Sequence, residues 1–231
     1  RGVDAKRFVL RAASEIPVGR GLGSSGAATV AGVLLADSLA QEASPRAALL
    51  AECIAHEGHP DNATPALYGG FTLSFLAHAR AVVIESEVHE SLGFAIAWPD
   101  VALETERARS LLPKSVPFAD AVENPRRLAA LLAGLRSGDR ALLEVGGEDR
   151  LHEVHRLPLI RGGREALAHA REAGAWAAMI SGSGSGMFAI CSRDDAPRIA
   201  AALVRGFESA GARAWGAEAR LVREAPRVET L

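Results

Sequence analysis

The sequence predicts a two-domain α+β protein, and three observations predict it. A glycine- and serine-rich loop runs straight into a long apolar-periodic helix, from Ile16 to Leu39. The second half alternates strand-like and helix-like segments, the pattern of a sheet covered by helices. Between them, a composition shift at the Gly69-Gly70 turn divides the chain into residues 1–70 and 71–231. A chain of 231 residues, 48% hydrophobic and 23% charged, has ordinary globular composition and length enough for a substantial core.

The elements follow in order. Lys6 to Ala13, centred on Phe8-Val9-Leu10-Arg11-Ala12, reads as a strand that Pro17 ends, because proline cannot donate to a central ladder. A helix spans about Ser24 to Ala40, with Ala27, Val30, Ala31, Leu34 and Leu35 at helical spacing as its buried side. Ser44 and Pro45 read as N-cap and first residue of a second helix, through about His56. Glu57 to Pro65 is a polar stretch. Thr72–Phe75 and Ala81–Glu85 read as strands joined by a short turn, and Phe94–Trp98 as another. Helices are expected at Thr105–Leu112, Asn124–Ala133, Asp139–Val145 and from Gly162-Gly163 to Glu172. Ala177–Ile180, Gly186–Cys191 and Ala217–Val222 are strand candidates, with a helix at Pro197–Ala210 between the last two.

A formal net charge of -2 argues against a polyanion-binding surface, so nucleic acid is not the expected partner. No segment reads as a signal peptide or a membrane span. Cys53 and Cys191 form neither metal-ligand spacing nor a disulfide framework. Both read as small core residues, in keeping with a reducing cytoplasm.

The chemistry concentrates in three segments. The loop before the first helix is an anion site by construction, because unpaired N–H groups and the helix dipole point at whatever occupies it. Gly19, Gly21 and Gly23 permit a tight turn. Ser24 and Ser25 add hydroxyls that can cap the helix, bond an oxyanion or reach a metal. No GKS or GKT closes the loop, so it is not a Walker A motif, and its spacing is not that of a dinucleotide fingerprint.

In the second segment, Glu57 ends a helix and could hold magnesium, with Ser25 completing a hard-oxygen set. His59, Asp61 and Asn62 place polar groups at the mouth of the following loop. An Asx turn that simply ends the helix is the other reading of this stretch. The third segment, Ser181 to Gly186, is a donor-rich loop suited to lie beside a phosphate or another loop. Thr105 and Arg109 lie four apart on one helix face, and Arg109 and Arg156 offer planar forks for a carboxylate or phosphate.

With these residues in view, the sequence resembles the GHMP small-molecule kinases, and among them the homoserine kinases. Pro17 to Ala28 looks like the superfamily's phosphate-binding motif, Glu57 to Gly70 like a run typical of homoserine kinases, and Ser181 to Ala189 like the C-terminal motif. Thr105 to Pro113 and Arg156 to Ile160 are similar to further segments. The resemblance implies the N-terminal part of an S5-like domain that binds ATP, in residues 1–70, followed by a ferredoxin-like domain in residues 71–231. It implies ATP-dependent phosphorylation of L-homoserine to O-phospho-L-homoserine in threonine biosynthesis, by a cytoplasmic homodimer.

Carried over by position, the resemblance gives Pro17, Val18, Gly19, Arg20, Gly21, Leu22, Gly23, Ser24 and Ser25 to the nucleotide, supported by Gly182, Ser183 and Gly184. Ser25 and Glu57 would hold Mg2+. His59, Asp61, Arg109 and Arg156 would bind homoserine, the arginines clamping its carboxylate. Asn62, Thr105 and Arg109 would stand at the reacting centre.

The sequence also departs from the family. Gly26 stands where the family has alanine. The first family motif, a PxSxANxGxGFD-like segment, is not present. Intact second and third motifs and a first residue of Arg1 lead us to expect residues ahead of it. Two alternatives stay open: another GHMP kinase with an acceptor such as mevalonate, and a nucleotide-binding relative without activity.

Overall fold

The computed structural model describes residues 8–103 and 105–229, with Thr105 and Glu106 described by main chain alone. By internal packing the chain falls into two compact units. One comprises Gly23–Ser86 with the described parts of Arg1–Pro17 and Leu221–Leu231, and the other comprises Val18–Leu22 and Glu87–Arg220.

The first unit holds α1 (Ser24–Ala40), α2 (Arg46–Glu57), α3 (Ala63–Tyr68) and an antiparallel hairpin of β1 (Phe71–Ala77) and β2 (Arg80–Ser86). Its core is Val30 and Val33 of α1, Leu49, Leu50 and Cys53 of α2, and Ala63 and Leu67 of α3, with Ala81 and Val83 packed against them. That packing draws the hairpin into this unit, beyond the division expected at Gly69-Gly70.

Helix α1 has the expected bounds but not the expected face. Gly26, Val30, Val33 and Asp37 are its buried residues, whereas Ala31 and Leu35 are exposed. Nearly every position of α1 is small or apolar, so periodicity alone does not select a side. The start of α3 does, since a Cβ on Gly26 would stand 2.9 Å from Asn62 Cβ. Helix α2 begins one residue later than expected, with Pro45 at its N-cap.

Helix α3 was not expected in a polar stretch. It is anchored where the Thr64 hydroxyl and amide both donate to Pro60 O, at 2.7 and 2.8 Å. The expected N-terminal strand does not form over its described part, residues 8–13. Val9 and Leu10 are 87% and 74% exposed. No described strand pairs with them, so extended backbone there gains no ladder. Lys6, in the expected strand, lies outside the described residues.

The β1–β2 turn places His78 and Ala79 at φ 49° and 61°, the left-handed region that two-residue hairpin loops require. That conformation costs an L-residue about 1–2 kcal/mol. Ala79→Gly is therefore expected to stabilise the protein by about 1 kcal/mol, read as a higher denaturant midpoint at unchanged slope. A lower midpoint would contradict it.

The second unit runs β3 (Leu92–Pro99), α4 (Thr105–Ser110), α5 (Phe118–Ser137), α6 (Arg140–Gly146), α7 (Glu153–Arg156), α8 (Gly163–Glu172), β4 (Ala177–Ile180), β5 (Met187–Ser192), α9 (Ala196–Ser209) and β6 (Ala214–Ala219). The sheet order is β4-β5-β3-β6, antiparallel throughout. With the first strand central and helices in both crossovers, this is the ferredoxin-like arrangement expected of the second domain.

Strand β6 starts at Ala214 rather than Ala217, because the pairing Trp98↔Trp215 brings the earlier residues into the ladder. Helix α5 starts at Phe118 and carries Pro125 inside it. The helix therefore begins before the expected Asn124 and runs past the expected Ala133. Leu167, Met187, Ile199, Leu203 and Phe207 sit in the core among many alanines. Helices α8 and α9 approach so closely that a Cβ on Gly206 would stand 2.5 Å from Glu165 O.

Cys53 and Cys191 are buried and free, as expected. Burial, with Asp195 adding to it, pushes the Cys191 thiol up to about 11. Among the described residues no helix is long and apolar enough to cross a membrane.

Candidate active site

One group of candidate residues lies within the first unit, at the N-terminus of α1. Gly23 is the N-cap, at φ 77°, and makes no side-chain cap. The Ala27 amide donates to Gly23 O at 3.0 Å, so the amides of Ser24, Ser25 and Gly26 have no acceptor within the helix. They form the donor set of an anion site.

Glu57, the last residue of α2, reaches this helix end. Ser25 Oγ donates to Glu57 Oε1 at 2.8 Å, and Thr29 Oγ1 donates to the same oxygen at 2.6 Å. Thr29 was not singled out from the sequence. Its signal was its position four residues after Ser25, on the same helix face.

The group is a carboxylate flanked by two hydroxyls, all hard oxygens, beside free amides. It fits a magnesium ion that takes its remaining ligands from phosphate and water. No group of three or more His, Cys, Asp or Glu that could hold a metal occurs among the described residues.

Asn62 stands at the start of α3 without capping it. Its Oδ1 lies 3.6 Å from where a Cβ on Gly23 would be, so its amide borders the glycine that opens α1. His59 Nδ1 approaches Asp61 Oδ1 at 2.5 Å, with the Asp61 side chain 66% exposed. Asn62 thus adds an amide beside the helix end, and His59 and Asp61 precede it in the same segment.

A second group lies within the other unit, where Val18–Leu22 packs with the ferredoxin-like domain. Arg20 donates to three carbonyls: Pro99 O at 2.9 Å, Asp100 O at 2.6 Å and Val18 O at 3.2 Å. These three bonds brace the loop and leave one N–H on each terminal nitrogen of the guanidinium. The Gly186 amide donates to Arg20 O at 2.9 Å, and Ser181 Oγ to Gly21 O at 2.8 Å. Gly21 and Gly182 meet backbone to backbone, so the two glycine loops lie against each other, as the sequence allowed. Gly184 packs on Ile160 and Leu103, and Ser183 belongs to the same loop.

Arg156 donates to Gly182 O at 3.2 Å and to Ala108 O at 3.4 Å. Burial lowers its pKa, Asp149 opposes that, and the charge of Arg109 adds to the lowering. The two arginines therefore share one field. Arg109 is exposed near the end of α4. Thr105 opens that helix, and its side chain lies outside the described residues.

Asp149 Oδ1 accepts the amides of Leu151, His152 and Glu153 at 2.9, 2.6 and 2.9 Å. Burial works against its charge, but the Glu153 and His152 amides, the His152 ring and the Asn124 amide hold its pKa below the usual carboxylate range. A lowered folded-state pKa gives stability that is complete above the unfolded-state value of about 3.9 and is lost as pH falls through the folded one. Asp149→Asn is accordingly expected to lower the melting temperature at pH 7, by a margin that narrows below about pH 4. Melting curves of both proteins across that range check it.

The chain is similar to known proteins along most of its length. The pattern described as the GHMP kinases N terminal domain matches residues 2–70, and that of the GHMP kinases C terminal domain matches residues 128–209. A homoserine kinase from one Synechococcus strain is 45% identical over 85% of this chain and 62% of its own. Another, from a second Synechococcus strain, is 40% identical over 91% of this chain and 67% of its own. The chain belongs to the GHMP kinase family.

Among solved structures, homoserine kinase from Cytophaga hutchinsonii superposes on this GHMP family member with a TM-score of 0.85 at 32% identity, covering 93% of this chain and 70% of that one. Mevalonate kinase from L. major shares the fold, with a TM-score of 0.63 at 19% identity over 82% of this chain and 62% of that one. The GHMP chain described here spans about three-fifths of the length of the first of these relatives.

Proposed function

We propose that the protein transfers the γ-phosphoryl group of ATP to the side-chain hydroxyl of L-homoserine, giving O-phospho-L-homoserine and ADP. The observation that carries this reading is the Ser25–Thr29–Glu57 group at the open N-terminus of α1. Likeness to homoserine kinases supports the choice of acceptor.

In this reading the amides of Ser24, Ser25 and Gly26 bind phosphate oxygens and lose little on reorganisation, because the helix already aims them. Glu57 and Ser25 hold Mg2+, which when bound neutralises charge on the phosphates. Thr29 orients the Glu57 carboxylate. Gly21 and its neighbours, braced by Gly182–Gly184, shape the main chain of the nucleotide loop. His59, Asp61 and Asn62 orient homoserine through its amino and hydroxyl ends, Thr105 stands by the reacting hydroxyl, and Arg109 and Arg156 take the carboxylate. Holding the acceptor hydroxyl in line supplies much of the rate. A role in threonine biosynthesis and a homodimer complete the proposal.

The test is magnesium-dependent ADP release by the full-length protein, with homoserine, mevalonate, galactose or no acceptor. Release with homoserine alone is expected. Release with mevalonate alone would move the protein to another branch of the family, and no release from folded protein would reduce it to nucleotide binding.

A further inference from the structure

We propose that Glu153 is a positioning residue for the nucleotide loop, acting from α7 through the Ser181–Gly186 loop on the main chain of Gly21. This rests on the proposed use of that loop by ATP. Glu153 is 7% exposed, and a buried carboxylate is costly unless partnered. Its partner is the amide of Ile180, which donates to Oε1 at 2.7 Å. Ile180 ends β4, directly before Ser181.

Glu153 does not cap its own helix, since Asp149 takes the amides there. Its carboxylate is left to hold the beginning of the loop. The loop is closed on itself, with the Ser181 amide on Gly186 O and the Gly184 amide on Ser181 O, both at 2.9 Å. Fixing Ile180 therefore places the whole loop. From it, Ser181 Oγ holds Gly21 O at 2.8 Å and the Gly186 amide holds Arg20 O at 2.9 Å.

The contact tolerates little drift, because Gly21 and the Ser181 carbonyl already touch at main-chain distance. A phosphate-binding main chain needs placement to about 0.5 Å. Glu153 thus sets Gly21 through two successive hydrogen bonds without touching a ligand itself.

The experiment uses the full-length protein with Glu153→Ala, Glu153→Gln and Ser181→Ala. It reads the KM values for ATP and homoserine and the hydrogen exchange of residues 18–22 and 181–186. Glu153→Ala is expected to raise the ATP KM about tenfold, the effect of losing one charged hydrogen bond. It is expected to leave the homoserine KM within about twofold, since Asp149 still caps α7, and to speed exchange in both segments. Glutamine keeps an acceptor oxygen and is expected to restore both readouts. Ser181→Ala, with Glu153 intact, is expected to raise the ATP KM and speed exchange at residues 18–22.

Unchanged exchange at residues 18–22 in a folded Glu153→Ala protein overturns the proposal, as does no recovery with glutamine. Should Glu153→Ala fail to fold, an unchanged ATP KM in Ser181→Ala overturns it instead. If the wild type does not phosphorylate homoserine, the functional reading fails by itself, and the exchange measurements still decide the role of Glu153.

Discussion

Glu57→Ala is expected to cut turnover by about 100-fold or more, the scale of losing one preorganised electrostatic group in a charge-stabilising site, while costing no more than about 1 kcal/mol of stability. The asymmetry follows from geometry. Glu57 sits at the end of α2 and takes hydroxyls from Ser25 and Thr29. It is only partly buried, so water can replace the alanine variant's lost bonds. The proposed reaction has no such substitute, because in it Glu57 would supply the carboxylate of the metal set. Steady-state turnover and a melting curve on the same preparation check this. Parallel loss of both would make Glu57 a structural pin between α1 and α2.

Gly21→Ala is the second large expected effect, and it falls on stability and nucleotide affinity together. Gly21 has φ 72°, which costs alanine about 1–2 kcal/mol. Its new Cβ would also collide with the Ser181 carbonyl oxygen and stand 3.0 Å from the Gly184 amide nitrogen. Both obstacles are main chain and cannot rotate away, which adds about 1–3 kcal/mol. A lowered melting temperature with a raised ATP KM is the expected outcome. A variant that melts and binds ATP like the wild type would show that the two loops are not seated together.

The sequence carried some helix bounds further than it carried the packing. Gly23 followed by an apolar-periodic run located α1 to the residue, and Pro197 with the flanking strands located α9 within one. What failed was local signal too weak to outvote context. In α1, Ala27, Ala31 and Leu35 are as apolar as Val30 and Val33, so only the tertiary neighbour α3 chooses the face. Helix α3 has six residues and α7 has four, and segments this short are held by capping and neighbours rather than by periodicity.

Glu57, Ser25 and the two glycine loops stand out because their residue types are costly without a purpose. Thr29 and Glu153 do not, because each is ordinary in its own element and matters only through what the fold brings against it. Arg20 shows the converse, a cation in a phosphate-like loop whose donors go to Pro99, Asp100 and Val18 carbonyls.

The seam between α8 and α9 has a consequence of its own. At Gly206 the helices meet with no side chain between them, a spacing more familiar where helices associate in lipid than in water. Main-chain Cα–H groups come within reach of facing carbonyls, each such contact contributing about 0.5–1 kcal/mol. Fitness at that seam is therefore ruled by volume, not by oiliness. A leucine there would wedge the pair apart more than a serine would, and repair would require a whole helix to slide.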